Sequence, residues 1–207
     1  MTHKFNHNDE IYLDNNNKTK DLHIGNEIAS GDKGVVYEIS NDPTKVVKLM
    51  IIGENPDNEM TLLEYQHELH MNKLAFDVDL GVQLYDYGLF EMTHNKSKKV
   101  TTFCYFITKK LDKTIGDVLE KLIPRVLDKK PVKIELLNTL MNDLYKRQIS
   151  KCFLHGDLSH LGNIMLDKNT NINANTKGKL YFIDLSSSKL LSKESCLDEI
   201  NKQWDTL

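Results

Sequence analysis

Apolar and polar positions change rhythm about half-way along the chain. Near the start, "VVYEIS" and "KVVKLMII" are short, β-branched apolar runs joined by "NDPT", a turn with its proline in place. They predict two paired strands. "VQLYDYGLF" and "TTFCYFIT" repeat the signal further on, and a helical segment is predicted between the two sets, over residues 58–76. Beyond residue 111 the spacing becomes helical. "KTIGDVLEKLI" opens with Thr114 and Asp117 in capping-box spacing and then sets Val118, Leu119 and Leu122 on one face. "VKIELLNTLMNDLYKRQI" pairs Leu136/Leu137, Leu140/Met141 and Leu144/Tyr145 at three- to four-residue spacing, an amphipathic helix. Two late apolar runs, "NIML" and "KLYFIDL", predict a hairpin around the polar, mobile tip "DKNTNINANTKGK". Lengthening such a tip is cheap, since each doubling of a loop costs only about 0.6 kcal/mol. The Asn-rich residues 1–21 read as a loosely held leader. The pattern predicts an α+β chain in two lobes, 22–108 strand-rich and 109–207 helical, with the seam near Thr108 to Leu111.

Composition narrows the function. At 207 residues the chain can bury a core without staples, and 40% hydrophobic with 28% charged residues is ordinary for a globular protein. A net charge of −3 speaks against broad nucleic-acid binding, which needs an electropositive face. Arginine occurs only at Arg125 and Arg147, so any phosphate must be met by lysines, backbone amides or a metal. Three separated cysteines, Cys104, Cys152 and Cys196, fit reduced thiols in a reducing compartment. No apolar run approaches the ~20 residues that span a bilayer, and "MTHKFNHNDE" is no secretory signal. The expectation is a protein that acts in a cytoplasm, either of its own cell or of a host, without membrane attachment.

The candidate chemistry sits on a few short stretches. "IASGDKGVVYEI" places Gly31 and Gly34 at a turn between strands, where glycine lets backbone amides approach a polyphosphate; a plain hairpin turn has the same look. Lys48 lies inside "KVVKLM" and could reach the same phosphates if an acid held it. Glu64 and Glu68, one turn apart on the predicted helix, are the two acids on offer, with Glu68 preferred. In "FLHGDLSHLGNIMLD", Asp157 is acceptor-only when ionised and can orient or deprotonate a hydroxyl, while Asn163 offers a carbonyl oxygen of the kind Mg²⁺ takes. Asp184 ends the apolar strand "YFIDL", where an unpaired charge would be costly, and a divalent cation between Asn163 and Asp184 explains both. The "HELH" histidines, His67 and His70, lack the further ligands of a zinc site.

Taken in order, "SGDKG", "VVK", the helix glutamate, "HGDLSHLGN" and "IDL" make the chain resemble a protein kinase over roughly residues 22–190. The resemblance implies a bilobal kinase-like fold with a strand-rich N-lobe and a truncated helical C-lobe. It implies that Lys48 contacts the α- and β-phosphates of ATP and pairs with Glu68, that Asp157 is the catalytic base, and that Asn163 and Asp184 hold Mg²⁺. Gly31 and Gly34 would cover the phosphates, Val36 and Val46 would roof the adenine and Met165 would floor it. Lys109, Lys110 and Leu111 would form the hinge, just after Thr108. His155 would prop the catalytic loop.

Several positions depart from the family pattern. Ala29 stands at the first glycine of the loop, and Asn163 lies six residues after Asp157 instead of five, so it needs a bulged loop. Gly156 replaces the arginine that many regulated kinases place before the catalytic aspartate, which removes the receptor for an activating phosphate. Ser159 stands where a phosphate-contacting lysine is common, and Asp184-Leu185-Ser186 replaces "DFG", with Leu185 able to pack like phenylalanine. Little sequence follows Asp184, so the helices that bind peptide substrates are not expected. This layout is similar to the small kinase of the tRNA-threonylcarbamoylation complex. It is also similar to minimal kinases delivered by bacterial type III secretion, whose motif has a pair like Gly162-Asn163.

The resemblance therefore implies an atypical, minimal Ser/Thr protein kinase with ATP and Mg²⁺ as cofactors. A protein would be its substrate and a second protein its activating or docking partner. Two other readings stand beside it: a pseudokinase that acts as a nucleotide-binding or empty scaffold, and a small-molecule phosphotransferase of the aminoglycoside-kinase type. Autophosphorylation on "SSSK" (Ser186–Lys189) is a further expectation of the kinase reading.

Overall fold

The computed structural model describes residues 10–15, 18–55, 57–93, 98, 100–127, 134–159, 161–167 and 178–206. The chain divides into two compact units: residues 1–69 with 83–110, and residues 70–82 with 111–207. The division falls after Lys110 rather than after residue 108, and residues 70–82 join the helix-rich unit.

The first unit is built on one antiparallel sheet. Its strands are β1 (Glu10–Asn15), β2 (Lys18–Ser30), β3 (Gly34–Ile39), β4 (Lys45–Ile51), β5 (Leu84–Thr93) and β6 (Val100–Lys109), in the order β1-β2-β3-β4-β6-β5. Residues 10–15 and 18–21, expected as part of a loose leader, instead pair: Glu10 lies opposite His23 and Asn15 opposite Lys18. Their Asn-rich sequence hid this, because a strand's ladder bonds come from the backbone and a polar segment can make them. Residues 1–9 lie outside the described residues. Alternation in β3 and β4 sends Val35, Tyr37, Val47 and Leu49 to one face, where they pack with Leu22, Ile24, Phe103 and Tyr105. Val36 and Lys48 face each other in the ladder on the opposite side. On that side Met50, Cys104 and Phe106 meet Met60, Tyr65 and Leu69.

Tyr65 and Leu69 belong to the helix α1 (Leu62–Asp77). It starts four residues later than the spacing suggested, because Thr61 and Glu64 form a capping box there. The Glu64 N–H donates to Thr61 Oγ1 (3.2 Å) and the Thr61 N–H to Glu64 Oε2 (2.8 Å).

The second unit holds α2 (Ile115–Leu127), α3 (Ile134–Lys151), the short strands β7 (Phe153–Leu154), β8 (Ile164–Leu166), β9 (Leu180–Phe182) and β10 (Lys189–Leu190), and α4 (Cys196–Trp204). The expected Thr114–Asp117 box is reciprocal and opens α2. The expected hairpin is β8–β9, with Met165 opposite Tyr181; its tip, residues 168–177, lies outside the described residues. Ile115, Val118, Leu137, Leu140 and Leu144 from the helices pack on Ile164, Leu166, Leu180 and Phe182 of that hairpin, and the Asp157 loop rises from this core.

After Asp184, α4 packs on α3. Trp204 Nε1–H donates to Gln148 Oε1 (2.5 Å), and Gln148 Nε2–H donates to Gln203 Oε1 (3.0 Å), which satisfies a fully buried amide. Cys152 and Cys196 are bonded as a disulfide with their Cα atoms 5.1 Å apart, so the expectation of three reduced thiols is corrected; only Cys104 is a free thiol, and it is buried. Among the described residues no helix is long and apolar enough to cross a membrane.

Candidate functional site

In the first unit the residues singled out from sequence gather around the β2–β3 turn and β4. The turn is closed by the Gly31 N–H donating to the Gly34 carbonyl (2.9 Å). Gly34 has no room for a side chain, because a Cβ would meet Met50 Cγ and the Leu49 carbonyl of β4. Gly31 faces open space, with nothing nearer to a built Cβ than the Gly34 oxygen at 3.9 Å. Gly34 is thus fixed by packing on β4, whereas Gly31 leaves the turn accessible to a ligand.

Lys48 Nζ lies 2.8 Å from Glu68 Oε1, and Glu68 is 1% exposed. The choice between two helix acids is therefore settled by geometry: Glu68 takes Lys48. Glu64, one turn earlier, is engaged elsewhere. Its Oε1 accepts from Lys33 Nζ at 2.7 Å, and its Oε2 accepts from the Thr61 backbone. The Lys33 ammonium, aided by the Thr61 N–H, holds the Glu64 carboxyl down to about 2. Sequence reasoning did not find Lys33, since nothing in "SGDKG" marks an acid thirty-one residues away as its partner.

Val36, Val46 and Lys48 share one face of the sheet, Val36 directly opposite Lys48 and Val46 two residues before it. Both valines are half-buried. A recess lined by Gly31, Lys33, Leu49, Asn58 and Phe103 includes side chains of the other face, so it is not where Lys48 points. At the end of β6 the Lys109 N–H donates to the Gln83 carbonyl and the Lys110 N–H to the Thr44 carbonyl. These two donors are not on offer to a ligand. The Lys110 ammonium pairs with Glu38 at 2.5 Å. Leu111, the last expected hinge residue, is buried in the second unit.

In the second unit the loop after β7 is organised around His155 and Asp157. His155 is fully buried, and burial pushes its imidazole below its ordinary value near 6.5. The neutral ring is used at both ends: Nε2–H donates to the Ile183 carbonyl (2.8 Å), and Nδ1 accepts from the Asp157 N–H (3.2 Å). That network fixes the tautomer. The expected propping histidine thus has a defined geometry.

The Asp157 side chain is approached from two sides. Ser159 Oγ–H donates to Oδ1 (2.8 Å), and Asn163 Nδ2–H donates both to the Asp157 carbonyl (2.8 Å) and toward Oδ2 (3.2 Å). The extra residue between Asp157 and Asn163 is absorbed in a single 3-10 turn over Leu161–Asn163. Asn163 therefore reaches Asp157 in spite of the longer spacing. Its Nδ2 is spent on Asp157, so the carboxamide oxygen is the end that a cation would meet. The Ile183 N–H donates to the Asn163 carbonyl (3.0 Å), which ties Asn163 to the residue preceding Asp184. Asp184 is exposed and left-handed, with φ of 53°. Leu185 is buried in the unit's core, as a phenylalanine substitute should be.

Carbonyl and carboxylate oxygens at Asn163 and Asp184 are hard donors, so the pair fits Mg²⁺ in donor chemistry. Among the described residues no three His, Cys, Asp or Glu side chains gather as a metal cluster, so a cation there would complete its shell with phosphate and water. Met165 is half-buried between the buried Ile164 and Leu166, and forms an isolated bridge with Thr114.

Gly156 explains one departure from the kinase pattern. Its φ is +86°, and a Cβ there would overlap the Ser187 carbonyl. No arginine could occupy this backbone without moving Ser187.

No family model matches this sequence, and no curated protein matches it. The fold does match solved structures. One is titled "ROP18 kinase domain in complex with AMP-PNP and sucrose", aligned with a TM-score of 0.61 at 14% identity over 87% of this chain. The chain spans 55% of the length of that one. The likeness shows a protein-kinase-like fold, strand-rich in one unit and helical in the other.

Proposed function

We propose that this chain is an ATP-dependent phosphotransferase: a minimal, atypical Ser/Thr protein kinase that transfers the γ-phosphoryl group of ATP to a protein hydroxyl. The observation that carries the reading is the Lys48–Glu68 pair. A carboxylate 1% exposed, matched to a lysine on the face that Val36 and Val46 also share, is a poor device for stability, since desolvation offsets most of its Coulombic gain. It is a good device for holding an ammonium toward phosphate oxygens. The fold supports this use, and AMP-PNP is named with the similar kinase domain.

In this reading the Gly31–Gly34 turn and Lys48 bind the phosphates. Asp157, its carboxylate aimed by Ser159 and Asn163, accepts the proton of the attacking hydroxyl. The hydroxyl oxygen bonds to the γ-phosphorus, the bond from that phosphorus to the β–γ bridging oxygen breaks, and ADP leaves. Asn163 and Asp184 would hold Mg²⁺, which when bound offsets phosphate charge. A protein partner is supported by the apolar side chains that the first unit leaves in water: Leu62 and Leu63 on α1, and Tyr85, Tyr87 and Leu89 in alternation along β5.

One observation favours a second reading, a scaffold with a kinase-like fold and no phosphotransfer. The N–H groups of Lys109 and Lys110, expected at the hinge, are bonded within the protein. Transfer from γ-labelled ATP with Mg²⁺, compared with Asp157→Ala and Asp184→Ala, separates the two. The kinase reading expects label on protein in the wild type, none with either variant, and nucleotide still bound by Asp157→Ala. Thermal stabilisation by ATP·Mg²⁺ with no label transferred selects the scaffold.

A further inference from the structure

The β2–β3 turn carries a second lysine whose partner can be exchanged, unlike that of Lys48. Lys33 Nζ sits 2.7 Å from Glu64 Oε1, and the two side chains are 34% and 44% exposed. Exposed pairs of this kind contribute little, at most about a fivefold bias in an equilibrium. A polyphosphate, with several charges and many acceptor oxygens, outcompetes one carboxylate for an ammonium. Glu64 itself does not depend on Lys33 for its position. Its other oxygen is held by the Thr61 N–H, and its backbone N–H by Thr61 Oγ1, so the capping box stays closed when Lys33 leaves. The lysine rides on a turn that is anchored at Gly34 and open at Gly31.

We propose that Lys33 is a second phosphate-binding cation of the turn, kept beside α1 by Glu64 in the ligand-free protein and transferred to the polyphosphate of a bound nucleotide. This inference rests on the phosphotransferase reading and deepens it. α1 then presents two acids one turn apart with different duties. Glu68, buried, keeps Lys48 in place throughout, whereas Glu64 is a resting counter-ion that competes with the ligand. Scarcity of arginine, with only Arg125 and Arg147 in the chain, makes a second lysine the natural source of positive charge.

The two partners have opposite expected effects, which a purely structural ion pair would not give. Lys33→Met should weaken binding of ATP and of inorganic tripolyphosphate about tenfold, the loss of one charge-assisted hydrogen bond, with adenosine unaffected. Glu64→Gln should strengthen both about two- to fivefold, because it removes the competitor while glutamine still closes the capping box. Titration calorimetry on the full chain at fixed salt reads both, and matched melting temperatures show that the variants fold. Shifts in the same direction, or no shift in either variant while the wild type binds ATP, overturn the role of Lys33 and leave the phosphotransferase reading intact. A wild type that binds neither ATP nor tripolyphosphate overturns both.

Discussion

Glu68 and Lys48 form an asymmetric pair: the acid is 1% exposed, while the lysine side chain keeps 24% of its surface in water. Removing the lysine deprives a buried carboxylate of its 2.8 Å ion pair. Lys48→Met should therefore destabilise the protein by about 2–3 kcal/mol, somewhat below the 3–5 typical of breaking a fully buried pair, because water reaches the lysine end. Replacing both partners, as in Lys48→Met with Glu68→Leu, should recover most of that stability and none of the nucleotide affinity. Urea unfolding and calorimetry on the three variants form the cycle. Full stability in the Lys48→Met single variant would show that Glu68 has another adequate partner.

Two glycines, Gly156 in the second unit and Gly31 in the first, should respond in opposite ways. Gly156 combines a left-handed φ with contact against the Ser187 carbonyl, so Gly156→Ala should cost about 2–4 kcal/mol from strain and overpacking together. Gly31 has open space where a Cβ would go, and Gly31→Ala should stay within about 0.5 kcal/mol. Thermal melts of the two variants make the comparison; equal losses would mean that the Gly156 backbone relaxes easily.

The placement of Asp157 and Asn163 on one loop, ahead of a hairpin that returns to Asp184, was legible because those residues are close in sequence or joined by that hairpin. Asp157, Ser159 and Asn163 lie within seven residues, and Asn163 and Ile183 meet through the β8–β9 pairing, which the apolar runs announce. The capping box of α2 was legible for the same reason, since both partners lie within one turn. What escaped was tertiary or backbone-made. Lys33 finds Glu64 across thirty-one residues, and Cys152 finds Cys196 across forty-four. No local pattern encodes either meeting. The β1–β2 hairpin escaped because its ladder is formed by backbone groups of a segment whose side chains look like a polar leader.

His155 should give the protein a pH-dependent stability. Its folded-state value lies below the ordinary 6.5, so the unfolded chain binds the proton more readily. The stabilisation is complete above about pH 6.5 and is lost as pH falls below that toward the depressed value. Protonated Nδ1 would confront the Asp157 N–H, donor against donor, in place of the present 3.2 Å bond. His155→Asn, which does not titrate, should be less stable at pH 8 but should lose less between pH 7 and pH 5 than the wild type. Parallel stability–pH curves for the two proteins would contradict this assignment.

The disulfide between Cys152 and Cys196 should be a stabilising cross-link of the second unit. It spans a sequence separation of 44 residues, from the end of α3, just before β7 and the Asp157 loop, to the start of α4. In the chain-entropy account, closing a loop of that length in the unfolded state is worth about 4 kcal/mol at 25 °C. Reduction does not remove the other contacts of α4, because Trp204 and Gln203 still bond to Gln148, and Ile200 is still buried against Leu154. The loss should therefore appear as a lower midpoint of global unfolding, with α4 still helical in the folded protein. Cys196→Ser without reductant should match the wild type with reductant in urea titrations. If reductant leaves the wild-type midpoint unmoved, the two sulfurs are not bonded in solution and the expectation of reduced thiols returns.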